Sequence, residues 1–233
     1  MITVRTRDVI LIMSCVAHRD MHQRVARETW LSYLPHLAMR RDYKFVLGAL
    51  PHGVRVDPRD DEIVVFGSDS YEGLWVKQRL AYRWAVEQGY QRAFVACIDT
   101  YIALNRLVDC GDDEYVGNKC EGALHAAGGP GYWLGARALR ILAADDQVDR
   151  WVNYPAIRYP DELDGRDLAA AGIRVKDDKR HWCTNYDRNP FLDWDKNIIS
   201  VHLSRGTGKY HPLWMYACHL RRVEFFNRAN GFV

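Results

Sequence analysis

None of the six cysteines stands in a CxxC pair, and most sit among apolar neighbours. That pattern argues against a zinc cage and against a disulfide framework, and reads as reduced packing residues with a Cys110–Cys120 bridge left open. No apolar run approaches the ~20 residues that a membrane-spanning helix requires, so no span is expected. Asp8 interrupts the first apolar stretch and no small-residue cleavage site follows it, so the start does not read as a signal peptide and the expected location is the cytoplasm. A net charge of only +2 removes any global nucleic-acid signal. Repeats, low-complexity tracts and Ser/Pro-rich linkers are also missing, which points to one domain over residues 1–233.

What is present is a regular alternation. "VILIMSCVA" (9–17) is apolar, β-rich and too short for a helix, as a buried parallel strand should be. In "RDMHQRVARETWLSYL" (19–34), Met21, Val25, Trp30, Tyr33 and Leu34 recur at helical spacing. "YKFVLGAL" (43–50) and "EIVVFG" (62–67) read as strands. "GLWVKQRLAYRWAVEQG" (73–89) reads as a helix closed by Gly89 and leads into the strand "RAFVACI" (92–98). Further on, "ARALRILAA" (136–144) and the acid-rich start of 160–173 suggest helices, and "NIISVHLS" (197–204) a late strand. Strands alternating with helices predict an α/β fold with a mixed, mostly parallel central sheet flanked by helices. In such sheets ligands bind beyond the carboxyl ends of the strands.

Asp99 lies at such an end. Followed by Thr100 and Tyr101, it reads in isolation as the N-cap of a helix, with a ligand role as the competing reading. Gly128, Gly129 and Gly131 cluster where tight turns and close backbone approach are needed. From Val201 onward, five basic residues (Arg205, Lys209, Arg221, Arg222, Arg228) face one acid, Glu224, with Tyr210, Trp214, Tyr216, Phe225 and Phe226 interleaved. This tail fits either a phosphate-contacting surface or an amphipathic helix with a solvated basic face.

Several of these blocks together resemble glycosyltransferase family 31 and its Fringe-like relatives. Arg27, Thr29 and Trp30 match the R-x-T-W signature that follows a strand ending in a small hydroxyl residue, here Ser14. Asp69, Tyr71, Leu74 and Lys77 match D-x-Y-x-N-L-x-x-K, with Gly73 in place of the Asn. "CIDTYIALNRL" (97–107) is similar to D-D-D-T-Y-V-x-x-x-N-L of core 1 β1,3-galactosyltransferases, although the acidic triplet is reduced to Cys97-Ile98-Asp99. "AAGGPGYWLG" (126–135) resembles G-G-x-G-Y-x-L-S, "PDELDG" (160–165) the acidic segment before a glycine, and "ISVHLS" (199–204) the strand that supplies a histidine. The family's Golgi anchor and luminal cysteine pattern are missing.

The resemblance implies a metal-dependent, inverting glycosyltransferase of the GT-A type that uses a UDP-sugar donor. Residues 1–110 would form its nucleotide-binding half and 111–233 its acceptor half. Asp99 and His202 would hold Mn²⁺ or Mg²⁺, whose charge offsets that of the departing diphosphate. Asp161 or Glu162 would be the general base. Ser14, Arg27, Asp69, Tyr71, Lys77, Gly128, Gly129 and Tyr132 would line the donor and sugar sites. The acceptor would be a hydroxyl, either the hydroxymethyl group of a modified pyrimidine such as 5-hydroxymethylcytosine in DNA, reached through the basic tail, or a cell-surface or capsule glycan precursor. Two rivals stand beside this: a glycoside hydrolase, which needs two facing carboxylates, and a catalytically inactive carbohydrate- or nucleic-acid-binding module, which the reduced acidic triplet invites.

Overall fold

The computed structural model describes residues 7–37, 41–49, 56–107, 110, 114–145, 159–183, 197–203, 215–216 and 218–220. The chain opens with β1 (Asp8–Met13), every residue of which is buried. Its alternate side chains feed two cores. Ile10 and Ile12 join Phe45, Phe94, Trp30 and Trp133, whereas Val9, Leu11 and Met13 join Val46, Val95, Tyr82 and Leu139. The period of two explains why the strand reads as a continuous apolar run: both of its faces are covered.

β1 pairs in parallel with β2 (Asp42–Gly48) on one side and β4 (Arg92–Cys97) on the other. β3 (Glu62–Val65) extends the sheet beyond β2, again in parallel. Past β4 the direction changes: β7 (Tyr132–Leu134) runs antiparallel to both β4 and β6 (Tyr115–Gly117), and β8 (Lys176–Asp177) pairs in parallel with β6. The sheet order is therefore β3-β2-β1-β4-β7-β6-β8, mixed and mostly parallel as the alternation predicts. A second sheet has the order β5-β10-β9, with β5 (Thr100–Ile102), β10 (Ser200–His202) and β9 (His181–Cys183).

The helix expected over 19–34 is not a single cylinder. A π-helical turn at Arg19–Gln23, a short α1 (Arg24–Glu28) and a 3₁₀ segment at Trp30–His36 follow one another. Thr29 causes the break. Its backbone leaves the helical region (φ −109°, ψ −105°) and its hydroxyl donates back to the Val25 carbonyl at 2.6 Å, a competitor for the helical ladder. Val25, Trp30 and Leu34 are buried as the periodicity predicts, while Met21 is exposed.

α2 (Leu74–Glu87) forms as expected and ends at Gly89, which adopts φ +79°, a conformation cheap only for glycine. It packs against α3 (Ala136–Ala143) and α4 (Pro160–Ala170). The expected helix after Asp99 does not form. Residues 100–102 instead pair antiparallel with β10, Thr100 opposite His202, so the N-cap reading of Asp99 is corrected. Cys110 and Cys120 are both free, which removes the bridge between them. No helix among the described residues is long and apolar enough to cross a membrane.

Candidate active site

β2 and β3 lie to one side of β1 and β4 to the other, so the strand order reverses between β1 and β4. A crevice is expected beyond the carboxyl ends at such a reversal, and a cavity of about 880 Å³ opens there, lined by Ser14, Asp69, Asp99, Gly129, Asp161 and His202 among others.

The backbone fixes Asp99 and His202 together. The Ile98 N–H donates to the Met13 carbonyl at 3.0 Å, and the Leu203 N–H to the Asp99 carbonyl at 2.9 Å. Asp99 thus sits where the chain leaves the large sheet and enters the small one. Its Oδ2 lies 3.1 Å from His202 Nε2. Neighbouring ligands on an octahedral cation at about 2.1 Å stand about 3 Å apart, so these two donors fit adjacent positions on one ion. Among the described residues no group of three or more His, Cys, Asp or Glu side chains could hold a metal, so phosphate and water oxygens would have to complete the shell.

A glycine turn links this pair to Asp161. Thr100 Oγ1 donates to the Gly129 carbonyl at 2.6 Å, and the Gly128 N–H donates to Asp161 Oδ2 at 2.8 Å. A Cβ on Gly129 would collide with His202 Nδ1, so the close approach requires glycine here. Asp161 occupies the first turn of α4 behind Pro160, where the helix dipole favours a carboxylate. Glu162 is exposed and does not line the cavity.

Asp69 and Lys77 line the cavity but are already engaged. Asp69 accepts from the Val16 N–H and the Gly48 N–H, each at 2.6 Å, and from Lys77 Nζ at 3.2 Å; Lys77 also donates to the Ser14 carbonyl. Together they tie the ends of β1 and β2 to α2. Ser14 lines the wall and its hydroxyl accepts from Gln23 at 3.2 Å.

Two expected donor-site residues lie elsewhere. Arg27 does not line the cavity; it grips Asp61 with two hydrogen bonds at 2.7 and 2.9 Å and lies over the Phe45 ring. Tyr132 is a core residue, 1% exposed, and donates to Asp164 at 2.7 Å. Asp164 is fully buried and also accepts from Tyr82 and Gln78; burial raises its pKa against the opposing pull of Arg79.

His18 and His22 also line the cavity, with ring centroids 4.3 Å apart. Burial lowers both pKa values, that of His22 to about 4 with help from His18. Their four-residue spacing on a helical turn is the signal the sequence offers for them. Tyr159, another lining residue, offers none beyond preceding Pro160. The basic tail residues from Arg205 to Arg228 lie outside the described residues.

No protein-family model matches the chain, and no curated protein matches it. Solved structures do. The fold is similar to that of a glycosyltransferase involved in the glycosylation of the major capsid of PBCV-1, with TM-score 0.57 and 13% identity over 90% of this chain and 99% of that one. It is also similar to the glycosyltransferase GlyE of Streptococcus pneumoniae TIGR4, with TM-score 0.52 and 9% identity over 96% of this chain and 64% of that one. The likeness shows a glycosyltransferase fold, a mixed sheet flanked by helices, and is not specific to family 31 or the Fringe-like branch.

Proposed function

We propose that this protein is a metal-dependent, inverting glycosyltransferase of the GT-A type, Fringe-like in its motifs, that moves a sugar from a UDP-sugar to a hydroxyl acceptor. One observation carries the reading: the Asp99–His202 pair, 3.1 Å apart, shares a cavity with Asp161 at the strand-order reversal. Asp69, Asp99 and Asp161 outnumber Lys77 among the charged lining residues, so a diphosphate needs a further cation there. Bound Mn²⁺ or Mg²⁺ would supply that charge, and Asp99 and His202 would hold it.

Asp161 is the general base. It takes the proton of the acceptor hydroxyl as that oxygen bonds to the anomeric carbon, while the bond from that carbon to the diphosphate breaks on the opposite face and UDP leaves. Ser14 and the Asp69–Lys77 pair form the donor wall, and the Gly128–Gly129 turn lets the sugar approach backbone. Arg27 and Tyr132 support these elements from outside the cavity.

Calorimetry of UDP with and without Mn²⁺ tests the reading. Wild-type protein should bind UDP only with the metal, and Asp99→Asn should lose most of that affinity because an amide is a poor ligand for a hard cation. His202→Ala should act in the same direction, more weakly. Unchanged Mn²⁺-dependent binding by Asp99→Asn would overturn the assignment.

A further inference from the structure

Tyr71 and Tyr159 are large aromatic residues left 66% and 48% exposed, yet both line the cavity that holds Asp161. Tyr159 immediately precedes the first turn of α4 that carries Asp161. Tyr71, Tyr159 and Asp161 all line this one cavity. Aromatic surface left exposed at a cavity mouth is available to cover a ligand there.

The charge of this mouth selects among partners. Lys77 is the only lysine or arginine that lines the cavity among the described residues, and it is buried against Asp69. The acids in that lining are Asp69, Asp99 and Asp161. A polyphosphate backbone gains affinity by neutralising its charges on Lys and Arg; the described lining offers it three carboxylates and one lysine already paired with Asp69. A neutral sugar ring meets no such repulsion and presents an apolar C–H face to an aromatic ring.

We infer that Tyr71 and Tyr159 form an acceptor subsite for a neutral saccharide, holding its ring so that one hydroxyl reaches Asp161. The inference rests on the glycosyltransferase reading above and commits to a glycan acceptor; transfer to hydroxymethylated DNA is an outcome of the test.

The test incubates the protein with Mn²⁺ and UDP-glucose, UDP-galactose or UDP-N-acetylglucosamine, and with either a panel of methyl glycosides or duplex DNA containing 5-hydroxymethylcytosine. UDP release and mass spectrometry of the acceptors are the readouts. Hexose should appear on a saccharide and not on DNA. Tyr71→Ala and Tyr159→Ala should each raise the acceptor KM roughly 2- to 10-fold, the reach of one aromatic contact, and move the donor KM far less; the Phe variants should restore the acceptor KM. Hexose on DNA but on no saccharide, or acceptor KM values untouched by both Ala variants, would overturn the subsite. UDP release without transfer to any saccharide would overturn it while sparing the donor reading. No UDP release with any donor would overturn both.

Discussion

Gly129 stands where any side chain would strike the His202 ring, and Gly128 where a Cβ would come within 3.2 Å of Asp161 Oδ2. The two positions should therefore differ in tolerance. Gly129→Ala is expected to displace His202 and to weaken Mn²⁺-dependent UDP binding as His202→Ala does, measured by the same calorimetry. Gly128→Ala, whose contact is tight but short of a collision, should be milder. The choice between the two acids of α4 also belongs to this scale. Asp161→Asn should lower transfer by roughly 10²–10⁴-fold with donor affinity nearly intact, the usual reach of a positioned base, whereas Glu162→Gln should keep most of the rate, both read from steady-state UDP release. A dead Glu162→Gln beside an active Asp161→Asn would reverse the two roles.

The small sheet depends on a buried histidine. His181 on β9 is 1% exposed, and its Nδ1 lies 2.7 Å from the Ser200 hydroxyl on β10. Burial lowers its pKa to about 4, below the ~6.5 of an unfolded histidine. The unfolded chain thus binds the proton first, so the stability this group contributes is complete above about pH 6.5 and is lost as pH falls from there towards 4. Thermal melts from neutral pH down towards that lower limit should show Tm falling in the window, and His181→Asn, which cannot titrate, should reduce the fall and leave the part due to His18 and His22. Local pattern reveals the long elements, β1, α2 and β4, because their apolar spacing repeats enough times to be read. It does not reveal β6 and β7, three residues each in a glycine-rich stretch, nor β5, whose partner β10 arrives much later in the chain. The expected cap at Asp99 fails for that reason: the strand that claims residues 100–102 is remote in sequence. The resemblance of their blocks singles out Asp99, Asp161 and His202 as candidates, and the three line one cavity, while the engagement of Arg27 by Asp61 and of Tyr132 by Asp164 depends on tertiary partners that no local motif contains.

Across the whole molecule, the Asp69–Lys77 pair joins β1, β2 and α2 at the cavity wall. Both side chains are buried, 6% and 3% exposed, and removing one charge leaves the other uncompensated. Lys77→Met should cost roughly 3–5 kcal/mol, seen as a lower midpoint in urea unfolding; a midpoint equal to that of wild type would show that the two backbone N–H groups alone satisfy Asp69. The seam between the sheets has a consequence for time as well as for geometry. Asp99 and His202 are 103 residues apart in sequence, and contacts of such separation are slow to form because the loop between them must first be closed. After dilution from urea, Mn²⁺-dependent UDP binding should therefore recover more slowly than the far-UV circular dichroism of the sheets; simultaneous recovery would refute the delay. On the proposed function the same order would hold during synthesis: a nascent chain could carry a folded β1–β4 core and still be unable to capture a donor, until His202 had left the ribosome and found its place beside Asp99.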